Sequence, residues 1–353
     1  MQKLKVLVAM SGGVDSSTAA ALLKAQGHQV TGVTMKLFQS CGKESLKSCC
    51  GYAPVSDAKR VAEKLGIPHM VLDVRKLFAS AVVDDFCSEY AKGRTPNPCV
   101  RCNAFLKFDF LLKQARLFGM EYVATGHYAK ISLGRLFKGQ DENKDQSYFL
   151  YMLKPGTLER ILFPVGEMTK EEVRQTAKEL DLPVHDKRES QDICFLPDGD
   201  YAAFMQSRGF TGVKGFMFHA DGSPAGEHLG LHRYTIGQRK GLPPFGERTY
   251  VTAIDATANT ITLGGKKELQ AWGVELSGVT LCHDPVRAGE TYEVRIRYRS
   301  PAVDGILETL DGERMRIRFK TPVESVAPGQ SAVLYRGNEV MGGGIIERKL
   351  EKD

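Results

Sequence analysis

A paired-glycine turn near the start constrains this chain more than any other feature. Met10-Ser11-Gly12-Gly13-Val14-Asp15-Ser16-Ser17 separates a short apolar run, Lys5 to Ala9, from a helical pattern carried by Ala19, Ala20, Leu22 and Leu23. An unbroken apolar run of that length reads as a parallel strand buried on both faces, and Gly27 can stop the helix. Two adjacent glycines let backbone N–H groups converge without interference from Cβ. The start of the following helix adds about half a positive charge. The string therefore predicts a phosphate cradle at a strand-to-helix turn. It is not the Walker type, because no Gly-Lys-Ser/Thr follows, and it is not the dinucleotide fingerprint. The plainer alternative is a tight β–α turn in which Ser or Asp caps the helix.

Strand and helix patterns alternate after that turn. Val30 to Leu37 reads as a strand. Ala58, Val61, Ala62 and Leu65 mark a helix closed by Gly66-Ile67-Pro68, and His69 to Leu72 is again strand-like. Helical stretches near Leu77 to Tyr90 and Phe105 to Phe118 lead to Tyr122-Val123-Ala124-Thr125-Gly126, and Thr169 and Glu172 have capping-box spacing before a helix to Leu180. Strands separated by helices predict an α/β domain with a Rossmann-like parallel sheet and helices on both faces, over residues 1–200. From Gly209 to Gly265 the chain turns glycine-rich with short strands, which predicts a small β-rich domain over 201–266. Beyond it Thr291 to Tyr298, Arg314 to Phe319, Ala332 to Tyr335 and Gly344 to Glu347 read as strands of a C-terminal β-barrel over 267–353.

No stretch approaches the ~18–20 apolar residues of a membrane span, and the N-terminal residues run into the first strand with no secretory h-region. A cytoplasmic chain is the expectation. The net charge of +6 suits a polyanionic partner without marking a DNA-coating protein. Eight cysteines are too sparse for a disulfide scaffold, so an unusual pair is catalytic or metal-binding rather than structural. Cys99-Val100-Arg101-Cys102 follows the stiff segment Gly93-Arg94-Thr95-Pro96-Asn97-Pro98 and leads into a helix expected to begin near Ala104. A thiol at a helix start beside an arginine is expected to ionise more readily. Half a zinc site is the alternative, although no closing Cys/His pair is evident. Cys194, beside Ile193 and Phe195, reads by itself as a small buried hydrophobe, as do Cys41, Cys49, Cys50, Cys87 and Cys282.

Ser11-Gly12-Gly13-x-Asp15-Ser16 resembles the PP-loop of ATP pyrophosphatases, which implies adenylation with release of pyrophosphate. Asp15 suits Mg²⁺ and equally suits an N-cap. The whole chain resembles the tRNA-specific 2-thiouridylases, the MnmA family. The markers are that loop, Gly93 to Pro98 with Cys102-Asn103, Thr125-Gly126-His127-Tyr128, Lys144-Asp145-Gln146-Ser147-Tyr148, Ser190 with Ile193-Cys194-Phe195, and Pro328-Gly329-Gln330.

The resemblance implies that ATP activates the C2 oxygen of the wobble uridine in a tRNA anticodon loop. A persulfide on Cys194, loaded by a sulfur-donor protein, then delivers sulfur. Cys102 assists as nucleophile, and a Cys102–Cys194 disulfide can result. It further implies ATP contacts at Ala9, Met10, Ser11, Gly12, Gly13, Val14, Asp15, Ser16, Met35 and Gly126, and target-base contacts at Asn97, Pro98 and Cys99. His127, Lys144, Asp145, Gln146, Arg297, Tyr298 and Gln330 are implied to contact tRNA. In many family members Asp stands where this chain has Cys99. Cys99, Cys102 and Cys194 thereby form a three-thiol set able to ligate a [4Fe–4S] cluster with one open iron, an alternative carrier of the sulfur.

Several residues of the last group keep a second reading. Arg295, Arg297 and Arg299 alternate along the expected strand, so they form either a phosphate-binding row or a solvated sheet face. Lys144 to Gln146 otherwise reads as a solvated loop, and His127 as a hydrogen-bonded structural histidine. Two other functions fit parts of the chain: a PP-loop synthetase acting on a small molecule, and an iron–sulfur or redox protein with a regulatory nucleotide site.

Overall fold

The computed structural model describes residues 3–38, 52–188, 193–196, 199–243, 248–282 and 285–352. Cys41, Cys49, Cys50 and Ser190 lie outside them. The chain divides into two compact units: residues 1–82, 99–199 and 338–340 form the first, and 83–98, 200–337 and 341–353 the second.

The first unit is built on a parallel sheet. Its strands are β1 (Lys5–Ala9), β2 (Gln29–Lys36), β3 (His69–Asp73), β4 (Tyr122–Ala124) and β7 (Ile161–Leu162), in the order β3-β2-β1-β4-β7. A hairpin of β5 (Ala129–Ser132) and β6 (Arg135–Lys138) intervenes in sequence between β4 and β7. Val6, Leu7 and Val8 are wholly buried, as the apolar run requires, and Ala19 and Ala20 of the helix Val14–Ala25 share the core with Ala58, Val61 and Ala62 of the helix Tyr52–Leu65. The order runs outward from β1 in one direction to β3 and in the other to β4. The crevice at the carboxyl ends of β1 and β4 is therefore the topological switch point, where open α/β sheets bind ligands.

Two helical stretches depart from the expectation. Arg75–Phe78 and Asp84–Ala91 are joined by a π-turn over Ala79–Val83. The helix expected from Ala104 begins at Pro98, continues as a π-turn over Cys102–Phe110 and ends as Leu111–Leu117. Proline fits that start, since its fixed φ and missing N–H cost nothing in a first turn. Both cysteines of the Cys-x-x-Cys pair consequently lie inside the helix rather than before it. The predicted capping box is present: Thr169 caps Lys170–Glu179, with its hydroxyl and the Glu172 carboxylate answering each other's backbone N–H groups.

In the second unit β8 (Gly215–His219), β9 (Pro224–His228), β10 (Tyr250–Asp255) and β11 (Thr260–Gly264) form a sheet in the order β10-β11-β8-β9. The remaining strands are β12 (Gln270–Leu281), β13 (Thr291–Arg295), β14 (Val303–Asp311), β15 (Arg314–Glu324), β16 (Ser331–Arg336) and β17 (Glu339–Leu350). They run β12-β15-β14-β13-β16-β17, and the pairing of β12 with β17 closes the ring into a barrel. Its interior holds Val274, Tyr292, Val294, Ile317, Phe319 and Leu334.

One expectation fails here. β13 ends at Arg295 rather than Tyr298, because Ser300 folds the chain back: its Oγ accepts from the Arg297 amide at 3.2 Å and donates to the Arg297 carbonyl at 3.0 Å. Arg295, Arg297 and Arg299 therefore do not form a row along one strand. The Arg295 guanidinium lies 5.4 Å from the centre of the Tyr335 ring, and Arg297 donates to the Ser325 carbonyl.

Candidate active site

The glycine turn leaves β1 at the switch point. Gly12 has φ +69°, and a Cβ there would lie 2.3 Å from the Pro54 carbonyl oxygen, so the position requires glycine twice over. Gly13 is the N-cap of the helix Val14–Ala25, and no side chain caps it. Ser16 closes the turn instead. Its Oγ accepts the Ser11 amide at 3.1 Å and donates to the Gly13 carbonyl at 3.2 Å, while Ser17 Oγ donates to the same carbonyl at 2.8 Å. Asp15, for which capping was one reading, has other partners. Its Oδ1 accepts from Tyr128 Oη at 2.7 Å and from Lys170 Nζ at 2.6 Å. Lys187 supports the turn from outside, its Nζ donating to the Gly12 carbonyl at 2.9 Å and to Asp57 Oδ2 at 2.6 Å.

A cavity of about 220 Å³ opens at this crevice. Of the residues expected around ATP, Ala9, Met10, Ser11, Asp15, Ser16, Met35 and Gly126 line it. Gly12 and Gly13 shape the turn, and Val14 belongs to the hydrophobic core. Gly126 lies flush against the turn: a Cβ on it would sit 2.5 Å from the Asp15 carbonyl carbon and the Ser16 nitrogen. The cavity is thus walled by backbone on the β1 and β4 sides. Converging amides, a helix start and a glycine-thin wall are what a nucleoside triphosphate needs.

Two residues expected at tRNA, His127 and Gln146, line the same cavity. His127 is buried, its Nδ1 2.5 Å from Thr125 Oγ1 and its Nε2 3.1 Å from Asn103 Oδ1, with the rings of Phe108 and Phe163 around it. Burial holds its pKa well below the ordinary histidine value, so the ring is neutral at pH 7. The segment 144–146 is not a solvated loop. Asp145 is buried and accepts from the Gly139 and Ser147 amides and the Ser147 hydroxyl, and Gln146 Oε1 accepts the Tyr128 amide.

Cys102 is buried on the helix that begins at Pro98, whereas Cys99 is exposed and Cys194 half-buried; none of these forms a disulfide. The expected easy ionisation of Cys102 is overturned. Burial pushes its thiol up to about 12. The arginine that was to help it faces elsewhere, with Arg101 Nε on the Ala81 carbonyl at 3.1 Å and its guanidinium 5.1 Å from the Phe105 ring centre. Cys194, 92 positions later in the chain, and Cys99 nevertheless stand within electrostatic reach of Cys102, and Lys107 opposes them with positive charge. The three thiols do not make a metal centre here: among the described residues no group of three or more His, Cys, Asp or Glu side chains is placed to hold a metal ion.

Within the second unit, two of the marker segments clasp each other. The Thr95 amide donates to the Pro328 carbonyl at 2.8 Å, and Gln330 Nε2 donates to the Thr95 carbonyl at 3.1 Å. Arg94 is anchored by Glu89 at 2.6 Å and Glu347 at 2.7 Å. Gln330 is therefore a brace for the segment that leads into Asn97 and Pro98.

Three family models match in succession: a tRNA methyl transferase HUP domain over residues 4–198, its PRC-barrel domain over 203–265, and an aminomethyltransferase β-barrel domain over 275–346. The tRNA-specific 2-thiouridylase MnmA of Carboxydothermus hydrogenoformans is 44% identical, covering 98% of this chain and 98% of its own length. The chain belongs to the tRNA-specific 2-thiouridylase family. The corresponding 2-thiouridylases of Geobacter metallireducens and Syntrophotalea carbinolica are 45% and 46% identical, over 98% and 97% of this chain and 97% and 98% of their own lengths. In this family's terms the first unit carries the HUP nucleotide fold and the second the PRC-barrel sheet and the closed β-barrel.

Sequence reasoning missed Lys107, Tyr128, Lys170 and Lys187 as site residues. Only the fold brings Lys170 to Asp15 across 155 positions.

Proposed function

We propose that this chain thiolates the wobble uridine of tRNA at C2, using ATP, with Cys194 and Cys102 as its sulfur-handling residues. The observation that carries the reading is the approach of two thiols, remote in sequence, beside a crevice shaped for a triphosphate.

The Gly12–Ser16 amides hold the pyrophosphate end of ATP. The uridine C2 oxygen attacks the α-phosphorus and pyrophosphate departs, which turns a poor leaving group into AMP. Asp15 faces the cavity, so its carboxylate would share a Mg²⁺ ion with the phosphates, the usual way that ion is held. The terminal sulfur of a Cys194 persulfide then adds at C2 and AMP leaves. Attack by Cys102 on Cys194 breaks the remaining S–S bond, leaves sulfur on the base and forms the Cys102–Cys194 disulfide, which a dithiol reductant returns to two thiols.

Exposure divides these roles. Cys194 is open enough to be loaded by a donor protein, while buried Cys102 is a protonated thiol at rest and reacts only once the site is engaged. Asn97, Pro98 and Cys99 are assigned to the target base, which must leave the anticodon stack to be reached. Lys144, Arg297 and Tyr298 are assigned to tRNA phosphates. No step is assigned to iron, because among the described residues Cys99, Cys102 and Cys194 are not grouped as a ligand set.

The reading is tested by following ATP with and without tRNA. Release of AMP and pyrophosphate stimulated by an unmodified tRNA supports it. Turnover to AMP that ignores tRNA but responds to a small amide or acid supports a synthetase instead.

A further inference from the structure

The triphosphate cradle has a deficit. A Walker-type turn supplies its own lysine to the phosphates; this turn supplies Val14 and Asp15. Two lysines reach the turn from elsewhere, and both are committed. Lys170 is buried against Asp15, and Lys187 holds the Gly12 carbonyl and Asp57. Among the residues lining the cavity, Lys107 is the remaining cation.

We propose that Lys107 is a nucleotide-binding residue whose ammonium takes the α-phosphate of ATP. It is half-buried, faces the cavity, and has no hydrogen bond or ion pair with any described residue. A lysine so placed, with no counter-ion of its own, calls for an anionic ligand. Its position along the cavity selects which phosphate. Lys107 stands on the π-turn Cys102–Phe110, whose i to i+5 spacing puts it on the side of the helix that carries Cys102. Its charge acts on both Cys102 and His127. The Gly12–Ser16 amides serve the pyrophosphate end, so the cation near the thiol serves the phosphorus that is attacked. The assignment rests on the proposed function for its catalytic meaning, but its test needs neither tRNA nor sulfur.

The test is equilibrium binding of adenosine, AMP and α,β-methylene-ATP to the full chain by calorimetry. Losing a hydrogen bond to a charged group corresponds to a ~10- to 100-fold change in affinity. Lys107→Met is therefore expected to weaken AMP and the ATP analogue by that factor and to leave adenosine within about twofold. Lys107→Arg is expected to keep most of the AMP affinity. Circular dichroism and the thermal unfolding transition show whether the variant is folded, and Lys107→Gln replaces it if it is not. Unchanged AMP binding in Lys107→Met overturns the assignment, as does an equal loss of adenosine. Weakened ATP analogue with unchanged AMP also overturns it, by moving the ammonium to the outer phosphates. A parent protein that binds none of the three defeats the nucleotide reading itself, and this assignment with it.

Discussion

Replacing Gly126 with alanine would drive a methyl group into the first turn of the helix Val14–Ala25. The new Cβ would stand 2.5 Å from the Asp15 carbonyl carbon and the Ser16 nitrogen, against 3.4 Å for ordinary contact, so backbone must yield by about 0.9 Å. Both neighbours are main-chain atoms and cannot swing aside. Overpacking of this kind costs ~1–3 kcal/mol, which for a domain of this size lowers Tm by about 2–12 °C. The displacement falls on the phosphate turn, and a shift near 1 Å at a reacting centre costs ~100-fold in rate. The assay pairs urea unfolding with nucleotide affinity. Gly156→Ala serves as control, because a Cβ there meets nothing within 4 Å. A Gly126→Ala protein within about 0.5 kcal/mol of its parent and binding nucleotide equally well would refute the argument from close approach.

Other expectations follow from the same geometry. Lys170→Met removes the buried partner of Asp15 and should cost ~2–4 kcal/mol in urea unfolding; Lys170→Arg should recover part of it, and a neutral Lys170→Met would show that the pair carries no load. With its thiol near 12, Cys102 is ~0.01% thiolate at pH 8, so peptide-mapped iodoacetamide labelling should run about a thousandfold slower than for a thiol at the ordinary 9.0 and rise about tenfold per pH unit. Fast labelling at pH 8 would contradict the burial. His127 is neutral when folded and takes a proton near 6.5 when unfolded, so its stabilisation is full above pH 6.5 and is lost as pH falls below it, by up to ~1.4 kcal/mol per unit. Stability of His127→Gln should depend less on pH between 7.5 and 5.5; an unchanged slope would refute the assignment.

The parts of this molecule that were legible in its sequence share one property: they are local. The apolar run of β1, the glycine turn after it, the capping box at Thr169 and the alternating strands of the barrel each need only neighbouring residues to declare themselves. The errors came where distant groups decide. Arg101 stood beside Cys102 in sequence, yet its side chain packs on Ala81 and Phe105, and burial then controls the thiol. The solvated loop that was the alternative reading of Lys144 to Gln146 does not hold, because the Gly139 and Tyr128 amides, outside the segment, bind Asp145 and Gln146. Three arginines at alternate positions suggested a strand face, and the Ser300 turn ended the strand beneath them. Lys107 and Lys170 carried no signal, since each is an ordinary lysine on a helix until the fold aims it.

The most direct test of the central claim is mass spectrometry of nucleosides from an unmodified tRNA incubated with ATP, a persulfide donor and either the parent chain or Cys194→Ser. The account predicts 2-thiouridine at the wobble position with the parent and none with Cys194→Ser, although AMP release persists in both. Equal thiolation by Cys194→Ser would contradict it.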